Sequence, residues 1–276
     1  MTRVVCAGLA TLDTIFRVPS LPPADGRVLA TEVVVAGGGP AATAAVVLAR
    51  LGLDAAFVGA VGDDVEGEAI RAGLAQEGVD VAGVAVVPGA VSPRSTVLVG
   101  PAGERAIVHH PGDARLPNGD VDADWLHVDH VGFGRVRGLS PDTAVSVDAG
   151  NPIGDLDLRG VKVYAPTEDA LRTQFGNARA ALDAGAELVV ATRGARGSVA
   201  YLRDGEVVEA DGVELPVVST LGAGDVFHGA LVAYLVRGAA VADALRAANT
   251  AAALACRALD GRSAAPTRDE LEGSLV

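Results

Sequence analysis

The run Ser219–Gly229, STLGAGDVFHG, sets three small residues, Gly222, Ala223 and Gly224, directly before Asp225. A strand-like stretch, VELPVV (213–218), precedes the small residues, and a helix-like one, VFHGALVAYL (226–235), follows Asp225. A helix N-terminus leaves its first N–H groups unpaired and carries partial positive charge, so it is a ready anion site. Small residues there let a phosphate touch the backbone, which forms an anion hole for charge building on a transferring phosphoryl group. Asp225, in the first helical turn, is placed to take a proton from an attacking hydroxyl. The plain alternative is a helix start with incidental glycines, because short motifs match by chance.

The elements that must carry this loop alternate. Short Val-rich runs bounded by turn residues, RVVCAGLA (3–10), AAFVGAVG (55–62), WLHVDHV (125–131), TAVSVDAG (143–150), VKVYAP (161–166) and AELVVAT (186–192), read as strands. Helical runs cover 40–52, with Pro40 in the first turn and Gly52 past the end, and 66–78, closed by Gly78. Others cover 168–185, 223–237, 240–257 and 267–275. The alternation predicts a single α/β domain over 1–276, with a doubly wound, mostly parallel sheet flanked by helices. Two β-rich stretches, 26–39 and 92–110, lack helical partners, and PAG (101–103) turns the second into a hairpin. Together they predict a small β-sheet lid formed by about 14–38 and 92–110.

The chain has 276 residues, half of them hydrophobic, and a mean hydropathy of +0.35, which supports a large core. The net charge of −13, with a lone lysine at Lys162, argues against nucleic acid and anionic membranes as partners. Cys6 and Cys256 show no metal or disulfide spacing, so two reduced, buried thiols are expected. No leader or long apolar span is visible, which points to a cytoplasmic protein. A dinucleotide fold is excluded because the first strand leads into GLATLD instead of GxGxxG, and no GK[ST] marks a Walker site.

TLGAGDVFHGAL resembles the C-terminal signature of the ribokinase-like (PfkB) sugar kinases, and AGGGPAATAAVVLARLG (36–52) resembles their N-terminal one. GLATLD, APTED and TRGARGS are similar to further segments of that family, so the resemblance spans about residues 4–267. Within it, GGGPAATAA, GAGDVFHGAL and DGRSAAP (260–266) most resemble the sulfofructose kinases. The resemblance implies ATP-dependent transfer to a sugar hydroxyl, with Asp225 as base and Gly222, Ala223 and Gly224 as anion hole. It implies Thr192, Arg193, Gly194, Gly197, Thr220 and Asn249 along ATP, and Glu168 holding Mg²⁺ through water. Asp13, Gly37, Gly38, Gly39 and Thr43 would line the sugar pocket. The sequence departs from the family at Ala42 and Ala165, each in place of an Asn, and at Ser219, where an Asp or Asn adjoins a monovalent-cation site. The sugar therefore stays open.

Further candidates each have a bland reading beside the functional one. His109 and His110 end a lid strand and face either sugar or solvent. Arg135 and Arg137 offer planar forks for an anionic tail or are solvated loop cations. Asp129 and His130 end a body strand at the carboxyl edge, where open sheets bind ligands. His228, one turn after Asp225, either tunes it or packs beneath the loop. Asp63 and Asp64 touch substrate or cap a helix. A nucleoside kinase and a non-catalytic sugar or nucleotide sensor remain as alternatives, and Asp225 argues against the sensor. A lid with open edges and one apolar face predicts a homodimer closed through that face.

Overall fold

A computed structural model describes residues 2–275. In β1 (Arg3–Ala7) Val4 and Cys6 enter one core while Val5 and Ala7 enter another. A strand covered on both faces needs apolar residues at every position, which is why this run shows no polar alternation. β2 (Thr11–Arg17) and β3 (Glu32–Gly38) lead into α1 (Pro40–Arg50). β4 (Asp54–Gly62), α2 (Val65–Gln76) and β5 (Asp80–Val87) form the next unit, and β6 (Arg94–Val99) turns back as β7 (Arg105–His110). Two short strands, β8 (Gly119–Val121) and β10 (Val136–Gly138), pair beside β9 (Trp125–Val128).

β11 (Ala144–Ala149) and β12 (Val163–Pro166) precede α3 (Glu168–Phe175) and α4 (Ala178–Asp183). One helix was expected over 168–185. Gly176, at φ 79°, ends the first, and Asn177 caps the second by accepting from the Ala180 N–H. β13 (Leu188–Thr192), β14 (Ser198–Leu202) and β15 (Val207–Ala210) follow, then α5 (Ala223–Val236), α6 (Val241–Ala255) and α7 (Arg268–Ser274). Asp64 caps α2 through the Gly67 N–H, 2.8 Å, and also takes the Ser92 hydroxyl and N–H, so the capping reading of VGDD holds.

Nine strands make one sheet in the order β15–β14–β13–β12–β11–β9–β1–β4–β5, antiparallel only at β13–β14 and β14–β15. One core joins it to α1, α5 and α6, the other to α3 and α4. This is the doubly wound α/β sheet the alternation predicts. A separate sheet has the order β3–β2–β6–β7 and starts at Thr11. Its inner face buries Ile15, Val97 and Val99 against Leu259. Among the described residues no helix is long and apolar enough to cross a membrane. Both cysteines are buried and free.

VELPVV is not a strand: residues 211–219 form an irregular segment. Pro216 cannot donate to a ladder, and the sheet already ends at β15. Val213, Leu215 and Val217 instead line a groove described below.

Candidate active site

The glycine loop lies where the fold needs it. Gly222 is the N-cap of α5 in the left-handed region, φ 71°, and no side chain caps the first-turn N–H groups, of which Ala223 bonds the Thr220 carbonyl at 3.4 Å. A Cβ at Gly222 would come within 2.6 Å of the Gly261 Cα, backbone that cannot step aside. Gly222 is thus required both by its dihedral and by its neighbour. Asp225 keeps part of its surface open, yet burial pushes its carboxyl well above the usual aspartate range. The fields of Asp148 and Asp129 add to that rise, while Arg262 and Arg105 pull it back.

On one side of the loop runs a groove of about 620 Å³, lined by Thr192, Arg193, Gly194, Gly197, Thr220, Ala223, Gly224 and Asn249. The structure therefore gathers all six expected nucleotide-side residues on one wall with two of the loop residues. Two of them are partly occupied. Arg193 bonds Glu209 at 3.0 Å, and Asn249 spends both amide hydrogens on the carbonyls of Ala210 and Asp211, each at 3.0 Å. Asn249 thus pins the groove's floor, and its donors are not free for an adenine. Glu168 also lines the groove, and one carboxylate oxygen takes Arg196 at 2.5 Å. Ser219 is fully buried, its hydroxyl accepting from the Leu221 N–H at 3.1 Å, so the signature opens on a neutral side chain. Arg105, absent from the residues expected here, reaches from β7 to the Thr220 hydroxyl at 2.7 Å.

On the other side, Asp13, Ser95 and His109 form one cross-strand row through β2, β6 and β7. Ser95 meets the His109 ring nitrogen at 3.2 Å, and burial raises the Asp13 carboxyl above its ordinary range. One oxygen of Asp13 is buried without a partner among the described residues. Gly37 and Gly38 lack side chains because the Arg262 guanidinium and the Asp13 carboxylate occupy that space. Gly39, at φ 92°, starts α1. Thr43 corrects its expectation: it is 2% exposed, and its hydroxyl accepts from the Arg262 Nε at 3.0 Å, so it supports the arginine and does not face the acceptor.

Arg262, within DGRSAAP, is a site residue that the sequence pattern does not single out. Its Nη2 donates to the Gly38 carbonyl at 2.6 Å, and burial lowers its pKa to about 10. Asp260 folds the loop by accepting from the N–H groups of Arg262 and Ser263. Arg50, at the end of α1, donates to the carbonyls of Arg262 and Ala265 at 2.8 and 2.7 Å. The ARLG ending of the N-terminal signature thus clamps the C-terminal loop. Asp129 is fully buried and accepts four backbone N–H groups, from Leu9, Ala41, Val131 and Gly132. It ties the first turn to α1 and is not open to a ligand. His109, His130 and Arg135 line a second, open cavity, His109 and Arg135 being exposed like His110, which accepts from the Gly112 N–H.

Beneath Asp225 lie His127, Asp148 and His228, all buried. The His228 Nδ1 stands 3.7 Å from Asp148. Burial, then the neighbouring His228, lowers the His127 pKa to about 4, so that ring is neutral at physiological pH. His228 packs under the loop, as the plainer reading of its i,i+3 spacing holds.

Comparison with known proteins agrees with this geometry. The family model of the pfkB family carbohydrate kinases matches residues 1–157 and 158–268. An ATP-dependent ribose-1-phosphate kinase of Halopiger xanaduensis is 32% identical over all of this chain and 98% of its own. The crystal structure of a ribokinase candidate from Agrobacterium tumefaciens is 29% identical, with a TM-score of 0.84 over 99% of this chain and 97% of that one. A nucleoside kinase of Methanocaldococcus jannaschii shares the fold at 18% identity and a TM-score of 0.83, over 100% and 98% of the two chains. The finer likeness to sulfofructose kinases rests on the quoted motifs alone. A carboxylate in the first turn of a helix that no side chain caps, between a long groove and a polar floor, now has its context: the chain belongs to the PfkB family of carbohydrate kinases.

Proposed function

We propose that this carbohydrate kinase transfers the γ-phosphoryl of ATP to a terminal hydroxymethyl of a small sugar or sugar derivative. The observation that carries this is the position of Asp225: Ala223 and Gly224 border the groove, while Asp225 feels Arg262 on the acceptor side. Asp225 takes the hydroxyl proton as the oxygen attacks the γ-phosphorus in line. The bond to the bridging oxygen breaks and ADP leaves. The first-turn amides and Arg105 receive the charge on the equatorial oxygens. Magnesium would accompany the phosphates and supply charge neutralisation. Glu168 fits such a role through the oxygen that Arg196 leaves free, as a hydrated ion needs few protein ligands.

The haloarchaeal relative's activity supports counting sugar phosphates among the acceptors, and the nucleoside kinase shares only the fold. ADP release with ketohexoses, pentoses, their anionic derivatives and nucleosides tests the reading. Turnover on nucleosides alone would overturn it in favour of a nucleoside kinase. Arg105→Ala is expected to lower kcat by roughly 10²-fold, as for loss of one charge-stabilising donor, with a smaller change in the KM for ATP. An unchanged kcat in steady-state assays would remove Arg105 from the transition state.

The small sheet acts in this reading as a lid, because its inner face carries Asp13 and Arg105 to the site. Its outer face exposes Val33, Val35 and Val108 at 58%, 61% and 73%. Two copies joined through these faces would cover them. Sedimentation is expected to give twice the 27.6 kDa chain mass, and Val35→Glu to halve it. A monomeric parent would refute the pairing.

A further inference from the structure

Beside the acceptor floor lies a cavity of about 520 Å³ that shares no lining residue with the nucleotide groove. Four of its lining residues are basic types, His109, Arg115, His130 and Arg135, and none is acidic. That is unexpected in a chain with 35 acidic residues against 22 lysines and arginines. Among the described residues neither Arg115 nor Arg135 pairs with a carboxylate, and Arg115 makes one bond, to the Gly112 carbonyl at 3.1 Å. The His130 Nδ1 is buried without a partner. Asp129, the carboxylate next to His130 in sequence, is already taken by four backbone N–H groups. Burial lowers the His109 pKa, and His130 and His110 lower it further, against Asp13. The pocket is lined by cation-forming groups and by no acidic side chain, with Asp13 and Asp129 lying behind its lining.

We propose that this pocket seats a tetrahedral oxyanion carried by the acceptor, so that the substrate is an anionic sugar such as a sugar monophosphate. The inference rests on the kinase reading above and adds the substrate class. The planar forks of Arg115 and Arg135 suit such a group, with the two histidines as further donors. His109 belongs both to this pocket and to the row that holds Asp13. One molecule can therefore place its hydroxymethyl toward Asp225 and its anion here.

Ribose 1-phosphate, 6-deoxy-6-sulfofructose and their neutral parents, ribose and fructose, are compared by ADP release with the full chain and with Arg115→Gln/Arg135→Gln. The anionic member of one pair is expected to have a kcat/KM at least about 10- to 100-fold above its parent, the range for a charge-assisted bond or two. Which pair shows it separates phosphate from sulfonate. The double variant is expected to lose that preference, chiefly through KM. Equal use of charged and neutral acceptors, or a preference that survives in the variant, would overturn the proposal. If no acceptor draws ADP release, the kinase reading fails instead, and calorimetric titration with inorganic phosphate decides the pocket. Binding that the variant weakens supports it, whereas equal or absent binding refutes it. Thermal melts check the fold of the variant, and Arg115→Gln alone replaces it if the pair unfolds.

Discussion

Asp225→Asn is expected to lower kcat by roughly 10²- to 10⁴-fold, the span for loss of a positioned base, while raising the thermal midpoint at neutral pH. The two effects share one cause. Burial first, then Asp148 and Asp129, hold the Asp225 carboxyl above its usual range in the folded chain. A raised acid contributes stability that is fully present below its unfolded pKa of about 3.9 and is lost as pH rises through its folded value. Neutral pH lies above the unfolded value, so the raised acid weakens the folded state there, and Asn removes that cost with little change of shape. The same shift places the acid limb of the parent's kcat/KM profile above the ordinary aspartate range, because the base must first be unprotonated. Kinetics across pH, with melts of both proteins, check all three points. A variant that turns over normally would end the assignment of the base, and one that melts lower would show the carboxylate to be structurally required.

What the sequence discloses and what it conceals divide along contact range. The loop before α5 is legible because its chemistry is local: Gly222, Ala223, Gly224 and Asp225 are consecutive, and a helix start fixes their mutual geometry. The buried strands are legible because two-sided burial leaves an unbroken apolar run. VELPVV misleads for a related reason, since its Val and Leu residues are apolar to face a groove instead of a sheet. Arg105 had a readable signal, since it alternates with Ile107 and His109 on one strand face, yet its partner Thr220 lies 115 residues away. Arg262 had only the likeness of DGRSAAP and no periodic signal: it sits in an irregular loop, and its bond to Gly38 spans 224 residues. Likewise, nothing local in Thr43 indicates that its hydroxyl is already taken.

Arg262→Met tests the long-range part of the site and is the costliest substitution expected here for stability, at about 3 kcal/mol or more. The guanidinium is buried, with its pKa lowered to about 10, so it stays charged at neutral pH. Methionine fills similar space but strands the Thr43 hydroxyl and the Gly38 carbonyl, and it leaves Asp13 and Asp225 without their shared counter-charge. Denaturant melts measure that loss, and the KM for the acceptor is expected to rise with it. A purely structural arginine would predict no more. This one also lowers the pKa of Asp225, so its removal should move the acid limb of kcat/KM to higher pH. In the Asp225→Asn background part of the stability penalty should vanish, because one of the two stranded charges is gone. Strictly additive penalties with an unmoved acid limb would mean that Arg262 holds the loop and does nothing for the base.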